Sequence, residues 1–125
     1  MRKILFVDED AVRHAAYARR FRSEGFAVET TDSGENALDR IRSGGVDLLV
    51  LDLDLDGRKG VGVLRRALGL SPDLPVIIHT AGAEYRNDFS TWSARAFLEK
   101  SADLGRLSRE IHRLLDEETA ERRAA

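Results

Sequence analysis

Cysteine is absent from the 125-residue chain, which excludes a disulfide framework and any thiolate metal site. An excess of charge of one sign is nearly absent too. The formal net charge is -2, which offers no electrostatic reason to expect nucleic acid or an acidic membrane surface. Long apolar runs are missing. The N-terminus, M-R-K-I-L-F-V-D-E-D, has one basic pair and then only four apolar residues before acid, too short for a signal peptide or a spanning helix. There is no internal repeat or low-complexity linker. What these absences leave is a soluble globular chain without nucleic-acid or membrane partners, expected in the cytoplasm. With 42% hydrophobic and 34% charged residues it is long enough for one domain with a real core.

Three continuous apolar runs are present: Ile4 to Val7, Leu48 to Leu51, and Val76 to Ile78. Continuity rather than alternation predicts strands buried on both faces of a parallel sheet. Weaker runs at Ala27 to Thr31 and Ala96 to Leu98 fill the gaps. Between the runs lie helical patterns. Val12, Ala15 and Ala16 begin one that should end at Gly25. Ser33 is the expected N-cap of a second, with Ala37, Leu38 and Ile41, closed by Gly44 and Gly45. Val61, Leu64 and Leu68 mark a third, before Pro72 and Pro75. The last has Asp103 as cap and Leu104, Leu107, Ile111, Leu114 and Leu115 on one stripe. The order is β-α repeated five times, which predicts one three-layer α/β domain with right-handed crossovers.

The segment V-L-D-L-D-L-D-G, ending at Gly57, begins like a calcium loop. Position excludes that reading: counting from Asp52, the twelfth residue is Val63, where a bidentate glutamate is needed, and L-L-V-L before it reads as a strand. Asp54 and Asp56 read as solvated turn residues beside a flexible glycine. Asp52 differs, because it ends a buried strand, and open parallel sheets bind ligands outside the carboxyl ends of their strands. Asp8 and Glu9 follow the first strand, Thr80 ends the fourth and Lys100 follows the fifth. Three crowded carboxylates repel one another and need a cation, and all-oxygen ligands suit Mg²⁺. A carboxylate can then act as nucleophile toward a phosphoryl group, with Lys100 as a second positive charge and Thr80 as a hydroxyl that moves toward the arriving oxygens. His14 and His112 read as surface residues, and His79 as pointing to the face opposite Thr80.

Through K-I-L-F-V-D-E-D, D-L-L-V-L-D, P-V-I-I-H-T-A and A-F-L-E-K, the sequence resembles a response regulator receiver domain of two-component signalling, chemotaxis-regulator-like, over about the first 115 residues. The resemblance implies a flavodoxin-like (βα)5 three-layer sandwich with a five-stranded parallel sheet in order 2-1-3-4-5. It implies that Asp52 is the phosphoacceptor, that Asp8 and Glu9 hold Mg²⁺ with Asp52 and the Asp54 backbone carbonyl, and that Thr80 and Lys100 read the phosphoryl group. Phe97 matches the aromatic switch position. Partners would be a sensor histidine kinase or phosphotransfer protein and an unidentified downstream protein, the chain being a monomer or weak dimer. A receiver domain over residues 1–118 and a charged tail over 119–125 are expected, with the signal leaving in trans or the chain being part of something longer.

Some positions depart from the family. Ser101 stands where proline with a cis peptide is usual, and a cis bond without proline costs about 2.5–4 kcal/mol. Either that bond is trans and Lys100 is aimed differently, or packing enforces a strained bond. Asp56 replaces another common proline, and Asp54 adds a carboxylate that could slow an anionic donor. Tyr85, Phe89 and Trp92 form an aromatic stripe that either covers the sheet or docks a partner. The leading reading is a switch that catalyses only its own phosphorylation and dephosphorylation. The alternatives are a receiver-like scaffold working without phosphorylation, and a haloacid-dehalogenase-like phosphatase, whose D-x-D motif also follows a buried strand.

Overall fold

Each of the five apolar runs forms a strand. The computed structural model describes residues 1–55, 59–82 and 93–124, and the elements run β1 (Lys3–Val7), α1 (Ala11–Ser23), β2 (Ala27–Thr31), α2 (Gly34–Ser43), β3 (Leu48–Leu51), α3 (Gly60–Leu70), β4 (Val76–Thr80), β5 (Ala96–Glu99) and α4 (Gly105–Ala124). Asp56, Gly57 and the aromatic residues Tyr85, Phe89 and Trp92 lie outside the described residues. The strands form one parallel sheet in the order β2-β1-β3-β4-β5, as the resemblance implies. No described helix is long and apolar enough to cross a membrane.

Alternation along the strands divides the core into two layers. Leu5, Val7, Leu49, Leu51, Val76 and Ile78 pack with Leu38, Ile41 and Leu64 of α2 and α3. Ile4, Phe6, Leu48, Val50 and Ile77 pack with residues of α1 and α4, including Phe21 and Ile111. Fully burying each such side chain stabilises by about 1.5–3 kcal/mol.

The first helix forms where expected, but other residues make its buried face. Val12 is 77% exposed and Ala15 and Ala16 are exposed, whereas Tyr17 and Phe21 are buried. The helix has two apolar stripes, and the bulkier one removes more surface from water. Its ends are set locally: the Asp10 carboxylate accepts the Val12 N–H, and Gly25 follows the helix at φ 95°. Ser33 caps α2 through the Asn36 N–H, and the Asp103 carboxylate accepts the Gly105 N–H at the start of α4. Helix α4 runs to Ala124 and so includes most of the charged segment, with Glu118 3.6 Å from Arg2.

Candidate functional site

The sheet ladder itself delivers the site residues. The N–H of Asp8 donates to Thr31 O, that of Asp52 to Val7 O and that of Lys100 to Thr80 O, each continuing the strand pairing one step past the strand's end. The side chains of Asp8, Asp52, Thr80 and Lys100 therefore meet at the carboxyl edge of the sheet. After Asp52 the chain turns back, with the Asp54 N–H donating to Asp52 Oδ1 at 3.0 Å. Helix α3 starts hard against this turn. A Cβ on Gly60 would lie 2.4 Å from Leu53 Cα and 2.6 Å from Asp52 O, so no larger residue fits without moving the loop that carries Asp52.

Lys100 is the centre of the site. Its Nζ lies 2.6 Å from Asp52 Oδ2 and 2.7 Å from Asp8 Oδ2, and all three side chains are buried. No described peptide bond is cis. The Lys100–Ser101 bond is thus trans, yet the ammonium still points into the site, so neither alternative holds as stated. Burial works to raise the pKa of Asp8, but hydrogen bonding to Lys100, the Asp10 N–H and the charges of Lys100 and Arg13 together hold it below the ordinary value.

Thr80 is fully buried, and its hydroxyl lies 3.2 Å from Asp52 Oδ1 and 3.1 Å from Asp54 Oδ2. One expectation changes here. Asp54 is not a solvated turn residue: it is half-buried, and its carboxylate accepts the Thr80 hydroxyl, because the turn after Asp52 folds it back over the strand ends. Phe97 is half-buried and packs in the α2/α3 layer, on the same side of the sheet as Thr80.

Glu9 is exposed and lines a cleft of about 800 Å³ with Asp32, Lys59 and Arg66. Among the described residues no group of three or more acidic or histidine side chains is placed to hold a metal. The expected crowd of three carboxylates is instead a pair, Asp8 and Asp52, converging on one ammonium. That pair still fits a hard cation: its donors are all oxygen, and two buried carboxylates against one ammonium leave net negative charge away from water.

Two residues at the site were not anticipated. The Tyr17 hydroxyl lies 3.2 Å from Asp8 Oδ2 and 2.9 Å from His79 Nδ1, with all three residues buried. Desolvation, then the charge of Asp8, raises the Tyr17 phenol's pKa well above its usual value. Desolvation and the charge of Lys100 push His79 down to about 4, so it is neutral at physiological pH. A histidine between Ile78 and Thr80 in a buried strand was the available signal, since such a group needs a partner. The other histidines are half-buried rather than simply superficial: His14 Nε2 contacts Asp8 O, and His112 Nε2 lies 2.8 Å from Glu24 Oε1.

Known proteins share this fold and are similar in sequence. Residues 4–112 match the family model described as the response regulator receiver domain. The chain is 37% identical over 79 residues to response regulator MprA of Mycobacterium tuberculosis, covering 63% of this chain and 34% of that protein. It thus spans about a third of the length of that relative. Among solved structures, response regulator protein TrrA of Thermotoga maritima in complex with Mg²⁺-BeF superposes with TM-score 0.86 at 31% identity, covering 91% of this chain and 99% of TrrA. TrrA bound to histidine kinase ThkA superposes with TM-score 0.85 at 31% identity, covering 92% and 99%. With a parallel sheet in order 2-1-3-4-5 and a family match over most of its length, this chain belongs to the response regulator receiver domains of two-component systems.

Proposed function

We propose that the chain is a phosphorylation-controlled switch in which Asp52 takes a phosphoryl group from a histidine kinase or phosphotransfer protein and the change is read by a protein partner. The observation that carries this reading is the Lys100 ammonium, 2.6 Å from Asp52 and 2.7 Å from Asp8 at the end of the sheet. Asp8 and Asp52, with Glu9 and the Asp54 carbonyl, would hold Mg²⁺. When bound, the ion neutralises charge on the incoming phosphoryl group.

The chain's own groups then have distinct tasks. The Asp54 N–H and Thr80 hydroxyl orient Asp52 through Oδ1 while Lys100 holds Oδ2. An Asp52 oxygen attacks phosphorus, the new P–O bond forms as the donor's P–N bond breaks, and the imidazole leaves with its own protein. Lys100 passes from the carboxylate to a phosphoryl oxygen, and Thr80 donates to another. Phe97, packed on the same side as Thr80, follows the exchange and couples it to the surface. Water attacking phosphorus later releases phosphate and restores Asp52, so the chain acts only on its own phosphoryl group. The proposed compartment is the cytoplasm, where such kinases present their phosphohistidines. That TrrA forms a complex with a histidine kinase supports the partner class.

A scaffold that is never phosphorylated is the second reading, kept open by Ser101 and Asp56, which stand where the family has proline. Acetyl phosphate with Mg²⁺, followed by intact mass, separates the possibilities. The switch gains one phosphoryl increment that Asp52→Asn loses. No increment in the wild type would establish the scaffold, and continuous release of phosphate would establish a phosphatase.

A further inference from the structure

Tyr17 and His79 form a buried polar chain that the scheme above does not use. The Tyr17 ring stacks on Phe6 with centroids 4.4 Å apart and planes 12° apart, and the His79 ring lies beside it at 5.9 Å. The phenol is therefore wedged, with its hydroxyl aimed at Asp8. The rest of this layer is apolar, built by residues such as Ile4, Phe21, Val50 and Ile77. Two apolar side chains would fill the same space without polar groups to satisfy. What the pair adds is a hydrogen bond to Asp8.

The order of that chain follows from proton counting. A phenol has one proton to donate, and here it faces a carboxylate oxygen and a neutral ring nitrogen. The charged acceptor makes the stronger bond, so the proton goes to Asp8. His79 Nδ1 must then carry its own proton and donate it to the phenolic oxygen. Asp8 is thus held at both ends: the Asp10 N–H donates to Oδ1 at 2.9 Å, and Tyr17 and Lys100 both donate to Oδ2. The two donors on Oδ2 differ in kind. Lys100 is a charged group on a flexible arm, free to leave for a phosphoryl oxygen. Tyr17 is neutral, stacked and fixed.

We propose that Tyr17, set by the Nδ1–H tautomer of His79, is a positioning residue that keeps the Asp8 carboxylate oriented for a divalent cation after Lys100 has moved away. This inference rests on the reading that Asp8 helps to hold Mg²⁺. It also makes a claim about the metal-free protein, namely which ring nitrogen of His79 carries the proton.

Two measurements test it: the ¹⁵N shifts of the His79 ring in the metal-free wild type, and Mg²⁺ titrations followed by amide NMR shifts. Tyr17→Phe keeps the stacked ring and loses only the hydroxyl, and it should weaken Mg²⁺ binding by about tenfold, the lower end for an outer-shell partner of a metal ligand. His79→Leu should weaken it similarly, while His79→Asn, whose amide N–H can replace the Nδ1–H, should restore most of the loss. The wild-type ring should show the Nδ1–H tautomer, a readout that needs no variant. An Nε2–H ring, or equal Mg²⁺ affinity in wild type and Tyr17→Phe, would overturn the positioning role and leave the Mg²⁺ reading standing. A wild type that binds no Mg²⁺ would defeat both.

Discussion

On the α1/α4 side of the sheet, both oxygens of Asp8 are held by donors set on different elements: the turn before α1, α1 itself and the end of β5. On the α2/α3 side, one hydroxyl proton of Thr80 faces two carboxylate oxygens at nearly equal distances, 3.1 Å to Asp54 and 3.2 Å to Asp52. The first side has one low-energy arrangement and the second has two. A receiver needs both properties. The groups that hold a cation must not drift, whereas the group that reports phosphorylation must be able to change partner. Lys100 belongs to both sides, which makes it the place where the contrast is most easily broken.

Removing that link should have the largest effect. Lys100→Ala leaves Asp8 and Asp52 facing each other without their ammonium, and stripping one partner from a buried ion pair costs about 3–5 kcal/mol. We expect a stability loss of that order in urea at neutral pH, with part of it recovered in millimolar Mg²⁺ as the cation replaces the lost charge. The variant should still accept a phosphoryl group slowly but fail to switch. A small stability change independent of Mg²⁺ would mean that the two sides are not joined through Lys100.

A smaller effect isolates the α1/α4 side. His79 titrates near 4 when folded, against an ordinary value of 6.5 in the unfolded chain. Between those values the unfolded state takes up a proton that the folded state refuses, so stability is full above about 6.5 and falls as pH drops toward 4. The loss should be on the order of 2–3 kcal/mol. Asp8 adds a further loss in the same direction at lower pH, below its ordinary 3.8, as its depressed carboxyl is protonated. Stability measured from pH 7 to 4 should therefore slope downward in the wild type and much less in His79→Leu. Equal slopes would show that His79 is not the group responsible.

The same division explains what could be read from residue order alone. Asp8, Asp52, Thr80 and Lys100 were legible as a set because each lies at or within two residues of the end of an apolar run, and parallel strands carry their ends to one edge. The buried face of α1 was not legible, because Val12, Ala15 and Ala16 keep helical spacing as well as Tyr17 and Phe21 do, and only the packed sheet decides between them. Tyr17 and His79 are 62 positions apart and meet only through tertiary packing, so spacing could not pair them. Asp54 was misjudged for a related reason. Its turn is set by a hydrogen bond to Asp52, and turn residues beside glycine usually face water.

The mildest perturbation asks whether the α2/α3 side is bistable at all. If Asp54 competes for the Thr80 proton, Asp54→Ala gives that proton to Asp52 alone and frees it for any oxygen that arrives later. Beryllofluoride with Mg²⁺ should then bind about fivefold tighter, the equivalent of one hydrogen bond of about 1 kcal/mol, with stability changed by less than that. Trp92, the single tryptophan, supplies the fluorescence readout. Plain repulsion between Asp54 and an anionic ligand would also tighten binding, so the tighter binding alone does not decide. Two further variants do. Asp54→Asn removes the charge but keeps an acceptor oxygen, and competition for the proton predicts a value between wild type and Asp54→Ala, whereas repulsion predicts a value equal to Asp54→Ala. In a Thr80→Ala background there is no proton to compete for, so the gain from Asp54→Ala should disappear, leaving a coupling energy of about 1 kcal/mol between the two positions. An undiminished gain in that background would mean that Asp54 acts on the ligand directly and that Thr80 is as firmly placed as Asp8.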